Sequence, residues 1–180
     1  MKSITLHDKT FVPFISNEKI EKAIDSVAEK INKKHINDEQ APILLCVLNG
    51  ALMFTAELMK RLDFTVELVT IELSSYEGTQ SSGNIHEDMG LTGSVKGRKV
   101  IICEDIVDTG KTIVYLKNKL MEEGASEVEV CTMLLKPEIY KQDVALDYVA
   151  MEIPARFIVG FGLDYDQLGR ESKDIYVLES

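Results

Sequence analysis

The sequence predicts an α/β fold in which helices flank an open, mainly parallel, twisted sheet. Runs of β-branched and other apolar residues alternate with segments whose apolar residues recur at helical spacing. One run, Val-Ile-Ile-Cys at residues 100–103, has the composition of a strand buried on both faces, as strands of parallel sheets are. A tight turn of small residues, 108–112, then leads into a helix, and such connections are typical of this fold class.

The first elements in the chain are a helix and then a strand, turn and helix unit. Ser16 or Asn17 can cap the first helix, whose apolar repeat consists of Ile20, Ile24, Val27 and Ile31. Residues 43–48 read as a short strand that ends in a turn at Asn49 and Gly50. Residues 51–62 read as a second helix, and its expected inward-facing residues are Leu52, Ala56 and Met59.

A long polar stretch follows the next predicted strand, residues 66–73. This stretch, 74–97, is rich in Ser, Gly and Thr and has neither helical nor strand periodicity. Connections of this length without clear structure are usually functional or disordered. We therefore expect a flexible lid here, although a short hairpin could form inside it.

The third helix is predicted over residues 111–123 and is stopped by Gly124. The apolar residues of this helix that are expected to face the sheet are Ile113, Leu116 and Leu120. The remaining predicted strands are 127–135, 148–151, 157–160 and 175–178. Ligands of open α/β sheets bind beyond the carboxyl ends of the strands, so we expect the turns at Asn49 and Asp108 to face one cleft.

Length and charge limit the classes of protein that fit. A chain of 180 residues with 45% hydrophobic content fits a single domain, 1–180. The net charge of −10 argues against nonspecific nucleic-acid binding, which depends on Lys and Arg. The sequence has no apolar stretch of membrane-spanning length and no signal peptide pattern, so we expect a cytoplasmic protein without membrane partners.

The cysteines and histidines give no sign of a metal site or a catalytic triad. Cys46, Cys103 and Cys131 each lie in an apolar run without metal-ligand spacing, so buried reduced thiols are expected. The histidines are scattered singly among polar neighbours and are expected at the surface. They are His7, His35 and His86.

The turn at residues 108–112 has the chemistry of a phosphate site. A helix N-terminus offers free N–H groups and partial positive charge, the hydroxyls of Thr109 and Thr112 add donors, and Gly110 permits close backbone approach. Acidic side chains in the same segment would repel a bare phosphate. These acids are Glu104, Asp105 and Asp108. The ligand must therefore also bring sugar hydroxyls, Mg²⁺ or a proton to be removed.

The sequence of this turn allows two other interpretations. Gly110, Lys111 and Thr112 spell the end of a nucleotide-triphosphate P-loop, but Asp105 stands where that loop needs its first glycine. The other interpretation is an ordinary strand-to-helix turn in which Asp108 is the N-cap and the acids lie in solvent.

The stretch 100–113, VIICEDIVDTGKTI, resembles the phosphoribosyl pyrophosphate signature of type I phosphoribosyltransferases, in the wording of the hypoxanthine/guanine branch. The chain also matches this family at Leu48, Asn49, Gly50, Ser75, Tyr76, Lys136, Phe157, Ile158, Asp164 and Arg170. The resemblance implies a type I phosphoribosyltransferase fold with a flexible lid and a small hood. It also implies Mg²⁺ as cofactor and a homodimer or homotetramer.

The resemblance further implies roles in transfer of the phosphoribosyl group to a 6-oxopurine. The residues implied in phosphoribosyl pyrophosphate binding are Glu104, Asp105, Asp108, Thr109, Gly110, Lys111, Thr112, Asn49, Gly50 and Arg170. Asp108 would also be the catalytic proton acceptor for the imidazole ring of the purine. Glu104 and Asp105 would accept hydrogen bonds from the ribose hydroxyls or metal-bound water, and would stabilise positive charge on the sugar.

The same resemblance implies a purine site, a metal site and a lid. Lys136 would donate to the purine O6, Phe157 would stack on the base, and Ile158 and Asp164 would complete the base site. Asp164 would hold Mg²⁺ together with Glu104 and Asp105. Ser75 and Tyr76 match the lid dipeptide, which would exclude water. Asn49 departs from the basic residue that is frequent in relatives, so only backbone contacts of this loop to pyrophosphate are expected.

The function implied is purine salvage, with hypoxanthine and guanine as acceptors and IMP and GMP as products. A non-catalytic regulator that binds a nucleotide or RNA on the same fold is the alternative. Retention of Asp108, Lys136 and Asp164 together favours the enzyme, and the acidic balance disfavours RNA. The sequence leaves open the relative preference for hypoxanthine, guanine and xanthine.

Overall fold

The computed structural model describes residues 2–75, 85–89 and 93–179. Its strands are β1 (Ile4–Leu6), β2 (Lys9–Ile15), β3 (Ile43–Leu48), β4 (Glu67–Ser75), β5 (Ile85–Met89), β6 (Lys99–Val107), β7 (Glu127–Leu135), β8 (Tyr148–Glu152), β9 (Ile158–Val159) and β10 (Ile175–Leu178). Its helices are α1 (Asn17–His35), α2 (Leu52–Met59) and α3 (Lys111–Glu122). Each predicted helix and strand is therefore present, with ends that shift by up to three residues.

The larger sheet has the strand order β5-β4-β3-β6-β7-β8. Five of these strands, β4, β3, β6, β7 and β8, run parallel, whereas β5 pairs antiparallel with β4. The register pairs Ile43 with Val100 and Val107 with Leu135, which brings the carboxyl ends of β3, β6 and β7 to one edge. The predicted mainly parallel sheet is confirmed. The antiparallel pair of β4 and β5 is not the short hairpin expected inside the polar stretch 74–97, because β4 begins at Glu67 and lies mostly before that stretch.

A second, antiparallel sheet has the order β1-β2-β10-β9. It forms the hood that the resemblance implied, and it joins the amino-terminal hairpin to the strand that carries Ile158. β10 lies between β2 and β9, with Val177 opposite both Val12 and Ile158. Strands β1 and β2 were not predicted from the sequence.

Helices cover the larger sheet on both faces, which explains the apolar character of its central strands. One face packs against α1 and α2, and the other packs against α3. The predicted stripe of α1, Ile20, Ile24, Val27 and Ile31, is buried. The predicted stripe of α3, Ile113, Leu116 and Leu120, is buried as well.

The predicted inward face of α2 is wrong for Leu52 and Ala56 and confirmed for Met59. Leu52 is 54% exposed and Ala56 is also exposed, whereas Met59 is half-buried and packs against the core. The buried residues of this helix are Phe54, Thr55 and Leu58. The helix has only eight residues and is apolar around most of its circumference, so the sequence periodicity does not define one face. Phe54 and Leu58, which are spaced by one turn, pack into the core instead.

The predicted surface position of His35 is also wrong. Its side chain is fully buried, with Nδ1 2.7 Å from Asp38 Oδ2 and Nε2 2.6 Å from Glu129 Oε2. Glu129 on β7 is itself buried and also contacts Lys34. His7 is exposed as predicted, and the side chain of His86 lies outside the described residues. The burial of His35 was not predicted because its sequence neighbours are mostly polar. However, His35 follows Ile31 by four residues and so continues the buried stripe of α1.

The cysteine prediction is confirmed, because Cys46, Cys103 and Cys131 are buried and free. Burial raises the pKa of the Cys131 thiol, so it remains protonated. Among the described residues, no helix combines the length and apolar character needed to span a membrane.

Candidate active site

The site lies at the carboxyl edge of the larger sheet, where β3, β6 and β7 end. A cavity of about 120 Å³ is lined by Val47, Leu48, Gly50, Leu73, Glu104, Asp105 and Thr112. A second cavity of about 110 Å³ is lined by Glu104, Ile106, Val107, Asp108, Thr109, Gly110, Thr112 and Ile113. Both cavities share Glu104 and Thr112, so they adjoin. The turns after β3 and β6 therefore face one cleft, as the topology predicted.

The turn after β6 keeps the start of α3 available as a donor surface. Gly110 is the N-cap of α3 and has a left-handed conformation, φ 75°, which favours glycine. No side chain among the described residues caps this helix, and its first N–H groups have no acceptor within the helix. Asp108 lies two residues before the N-cap. The alternative in which Asp108 caps the helix is therefore wrong, and the side chain is directed elsewhere.

Glu104 and Asp105 form a pair of adjacent carboxyl groups that are poorly solvated. Glu104 is 8% exposed, and its Oε2 has no hydrogen-bond partner among the described residues. Burial and then the charge of Asp105 raise the pKa of Glu104. Burial raises the pKa of Asp105 to about 6, against hydrogen bonding by the Ile106 N–H and the charge of Arg170, which lower it. Such a pair favours a ligand that brings hydroxyl donors or a cation.

The loop after β3 packs tightly between neighbouring parts of the site. A Cβ atom on Gly50 would lie 1.6 Å from Asp105 Oδ2, and one on Gly162 would lie 2.0 Å from the Gly50 carbonyl oxygen. The Leu48–Asn49 peptide is cis. The Asn49 side chain contacts β4, with Nδ2 3.4 Å from Glu72 Oε1. Its neighbours Leu48 and Gly50 line the cavity of about 120 Å³, whereas Asn49 is not among the described lining residues.

Asp108 and Lys136 form an ion pair across the ends of β6 and β7. Lys136 Nζ lies 3.0 Å from Asp108 Oδ1 and donates to Oδ2 at 3.2 Å. The Lys136 backbone N–H donates to the Val107 carbonyl, which fixes the residue at the strand end where the sequence analysis expected it. Lys136 is only 8% exposed, whereas the Asp108 side chain is half-exposed. The pair therefore offers a donor and an acceptor side by side.

Phe157 is 45% exposed and lies just before β9. A phenylalanine in an apolar run is usually a core residue, but this ring keeps a face free of the core. Its neighbours are Phe11 at 5.9 Å and Tyr165 at 5.8 Å between ring centroids, the latter edge to face. The Ile158 side chain is buried in the hood sheet, so only its backbone can contact a ligand.

Asp164 and Arg170 contact each other. Arg170 Nη2 lies 2.8 Å from Asp164 Oδ1, and Arg170 Nη1 donates to the Gly162 carbonyl at 2.8 Å. The other carboxylate oxygen of Asp164, Oδ2, accepts a hydrogen bond from the Gln167 backbone N–H at 2.8 Å. Arg170 therefore holds both the carboxylate and the backbone that packs on Gly50. Because Gly162 packs closely on Gly50, which lines the cavity, this group lies at the same edge of the cleft. The charge of Arg170 also lowers the pKa of Asp105.

The structure brings most of the sequence-predicted site residues together at this edge. These are Gly50, Glu104, Asp105, the turn 108–112, Lys136, Asp164 and Arg170. The Lys111 side chain is exposed on α3, and the Asn49 side chain contacts Glu72 on β4. Ser75 ends β4 but its side chain is not described, and Tyr76 lies outside the described residues, so the lid remains a prediction.

Sequence reasoning missed three side chains that contact the site residues. Tyr165 packs edge to face on Phe157, and Tyr140 and Gln142 lie against the turn after β6. Tyr165 directly follows Asp164, and that adjacency was the available signal. The positions of Tyr140 and Gln142 had no local signal, because their contact with residues 109 and 110 spans about thirty residues of chain.

Comparisons with known proteins agree with this geometry. A family model described as a phosphoribosyl transferase domain matches residues 15–166. The hypoxanthine-guanine phosphoribosyltransferase of Streptococcus thermophilus is 43% identical over 139 residues, 77% of each chain. The protein of that name from Streptococcus pneumoniae is 37% identical over 166 residues, 92% of this chain and 91% of that protein. A crystal structure of a hypoxanthine phosphoribosyltransferase from Staphylococcus aureus, 30% identical, has a TM-score of 0.86 and covers 93% of this chain and 91% of that one. The chain belongs to the phosphoribosyl transferase family.

Proposed function

We propose that this chain transfers the 5-phosphoribosyl group from phosphoribosyl pyrophosphate to hypoxanthine and guanine, with IMP or GMP and pyrophosphate as products. The observation that carries the proposal is the Asp108–Lys136 pair in the cleft. Its two polar groups, 3.0 Å apart, offer one donor and one acceptor to a ligand. The two streptococcal relatives are named hypoxanthine-guanine phosphoribosyltransferases, the Staphylococcus aureus protein is named a hypoxanthine phosphoribosyltransferase, and their similarity spans most of this chain.

A 6-oxopurine presents a matching edge to this pair. Its O6 and N7 lie side by side on one edge of the base. Lys136 donates to O6, and Asp108 accepts the proton that N7 carries when N9 is free to attack. As N9 bonds to C1 of the sugar, the imidazole ring becomes more acidic and its N7 proton moves to the Asp108 carboxylate. General-base assistance of this kind contributes roughly 10²- to 10⁴-fold.

The rest of the site binds and orients the two substrates. The free N–H groups at the start of α3 take the 5′-phosphate, and Glu104 with Asp105 accept hydrogen bonds from the ribose hydroxyls. As the bond from C1 to pyrophosphate breaks, positive charge develops on the sugar, and these carboxylates stabilise it. The exposed ring of Phe157 stacks on the base, and the Ile158 backbone hydrogen-bonds to its edge.

The carboxylates of the cleft fit Mg²⁺. Glu104 has a buried oxygen without a partner among the described residues, and the neighbouring Asp105 adds a second carboxylate. The described residues contain no cluster of three or more His, Cys, Asp or Glu side chains for a metal, but magnesium needs only one or two carboxylates when substrate phosphates complete its shell. Glu104 and Asp105 would hold it, with Asp164 near the pyrophosphate side. Bound Mg²⁺ would neutralise charge on the leaving pyrophosphate.

Replacement of Asp105 by Asn is expected to stabilise the protein at alkaline pH while it lowers activity. The folded-state pKa of Asp105, about 6, lies above its ordinary value of 3.8. Ionisation therefore costs the folded state free energy, and this cost grows as the pH rises from about 4 to about 6 and then stays constant. We expect a higher melting temperature for Asp105→Asn than for the wild type at pH 8 and equal values at pH 4.

The exposed Glu39 provides the control, since Glu39→Gln removes the same formal charge from the surface. Thermal melts at both pH values and kcat/KM at pH 8 complete the experiment. A melting temperature of Asp105→Asn below the wild-type value at pH 8 would contradict the expectation, because Asp105 would then stabilise the fold as an anion.

The Asn49 and Arg170 side chains are expected to differ in their importance for pyrophosphate. Asn49→Ala should change kcat/KM by less than about tenfold, under ~1.4 kcal/mol, because the hydrogen bond of its amide among the described residues is a long one, to Glu72 at 3.4 Å. Arg170→Ala should lower kcat/KM more than Asn49→Ala does. It removes a positive charge on the leaving-group side, and it also removes the contacts of Arg170 with Asp164 and the Gly162 carbonyl. Arg170→Lys keeps the charge but not the paired contacts, so its loss in kcat/KM should lie between those of Asn49→Ala and Arg170→Ala.

Steady-state kinetics at saturating Mg²⁺, with phosphoribosyl pyrophosphate varied, provide the measurement for the Asn49 and Arg170 variants. A larger loss in Asn49→Ala than in Arg170→Ala would show that the amide holds the loop or contacts the ligand. The assignment of Arg170 to pyrophosphate would then be wrong.

A substrate panel tests the proposed function as a whole. The purified chain is assayed with phosphoribosyl pyrophosphate, Mg²⁺ and each of hypoxanthine, guanine, xanthine and adenine. Transfer to hypoxanthine and guanine is the expected result, and their ratio to xanthine defines the preference that the sequence leaves open. Binding of a nucleotide without any transfer would support the regulatory alternative. Light scattering tests whether the protein is a homodimer or a homotetramer, as we expect. We also propose that it acts in the cytoplasm and that residues 75 and 76 belong to its lid.

A further inference from the structure

The segment that follows β7, residues 137–147, lies against the back of the turn after β6. Gln142 Nε2 donates to the Thr109 carbonyl oxygen at 2.9 Å. A Cβ atom on Gly110 would lie 2.4 Å from Tyr140 Cε2 and 2.9 Å from Gln142 Cγ. Tyr140 is tied in turn to this segment, because its hydroxyl donates to the Val144 carbonyl. Two side chains therefore form a wall behind Thr109 and Gly110.

The contact of Gln142 with Thr109 sets the direction of the next amide. In a trans peptide the carbonyl group and the following N–H point in opposite directions. Because Gln142 holds the Thr109 carbonyl, the N–H of Gly110 points to the opposite side of the turn. Thr109 and Gly110 both line the cavity of about 110 Å³, and none of its described lining residues comes from segment 137–147. The amide of Gly110 is thus directed away from the wall.

The turn needs such support because of its glycine. Gly110 has φ 75°, and glycine populates several backbone conformations with similar ease, so this peptide has little intrinsic preference for one orientation. A peptide that is already oriented binds an anion without the cost of ordering it. Gln142 is exposed and contributes little to the core, so its contact with Thr109 has no evident role in general packing.

We propose that Gln142, backed by Tyr140, is a positioning residue for the 5′-phosphate of phosphoribosyl pyrophosphate. It acts through the Thr109–Gly110 peptide and does not touch the ligand. The inference rests on the proposed function, because it takes phosphoribosyl pyrophosphate as the ligand of the turn. It goes beyond the signature itself, since Gln142 lies 30 residues after Thr112 and outside any stretch that the sequence analysis singled out.

The test compares Gln142→Leu with the wild-type chain. Leucine keeps much of the side-chain volume but cannot donate to the Thr109 carbonyl. Isothermal titration calorimetry with phosphoribosyl pyrophosphate and Mg²⁺ should show a Kd raised about tenfold, and kinetics should show a similar rise in KM for this substrate. The KM for hypoxanthine should stay within about twofold. Gln142→Glu presents a carboxylate to the Thr109 carbonyl, so it should raise the Kd for phosphoribosyl pyrophosphate at least as much as Gln142→Leu does.

Gln40→Leu is the matched control. Gln40 is exposed and precedes β3, so it lies at the sheet edge opposite the cleft, and its replacement should leave both KM values unchanged. An unchanged Kd for phosphoribosyl pyrophosphate in Gln142→Leu overturns the inference. Equal rises in both KM values also overturn it, since they indicate a general structural role. If the wild-type chain binds phosphoribosyl pyrophosphate but transfers nothing, the proposed function fails while the Kd comparison still decides on Gln142. If it does not bind this ligand, both fail.

Discussion

Adenine should be transferred roughly 10⁴-fold less efficiently than hypoxanthine, as a ratio of kcat/KM values. Adenine carries an amino group where hypoxanthine carries O6, so two donors would face each other at Lys136. The lysine is 8% exposed and is held by Asp108, which leaves the ammonium group little freedom to turn toward water. A site with a buried polar group left unpaired rejects the wrong ligand far more strongly than a purely apolar pocket does.

Assays with each base as the only acceptor, at saturating phosphoribosyl pyrophosphate and Mg²⁺, measure this discrimination. Lys136→Met removes the donor and keeps an unbranched side chain, so it should lower the efficiency with hypoxanthine more than that with adenine. Phe157→Ala serves as the matched variant, because stacking does not depend on the group at position 6 of the purine. The kcat/KM values for both bases should therefore fall by the same factor. Comparable turnover of adenine and hypoxanthine by the wild type would refute the role of Lys136.

The parts of the fold that could be predicted from sequence are those encoded by neighbouring residues. The buried stripe of α3, for instance, follows from the helical spacing of Ile113, Leu116 and Leu120. The position of Lys136 follows from the apolar strand before it, and the cleft follows from the rule that ligands bind where parallel strands end. The position of these residues in the cleft was therefore predictable, whereas their roles are proposals that rest on the family resemblance.

The parts that could not be predicted depend on partners far apart in sequence. His35 looks like a surface residue among its neighbours, yet its buried position is compensated by Glu129, which lies 94 residues away. The hairpin β1-β2 pairs with β10 at the other end of the chain, and Gln142 meets Thr109 across 33 residues. Periodicity carries no information about such contacts, because each requires the tertiary arrangement to exist first.

Replacement of Asp108 by Asn should lower kcat for hypoxanthine by about 10²-fold or more, which corresponds to ~2.7 kcal/mol in the barrier. The amide keeps the shape of the side chain but loses the basic oxygen that accepts the purine proton. Phosphoribosyl pyrophosphate should still bind, because the backbone N–H groups that take its phosphate belong to the turn and to α3 rather than to this carboxylate. Binding and chemistry should therefore separate in this variant.

The structure adds a complication that the experiment must address. Asp108 is the ion-pair partner of Lys136, so Asp108→Asn leaves a mostly buried ammonium group without its counter-charge. Thermal melts must therefore accompany calorimetry with phosphoribosyl pyrophosphate, and Glu39→Gln provides the exposed control with the same loss of charge. A low kcat with a Kd for phosphoribosyl pyrophosphate within about threefold of the wild type would identify Asp108 as the proton acceptor. If binding and rate fell together, Asp108 would be structural and the base would have to be another residue of the cleft.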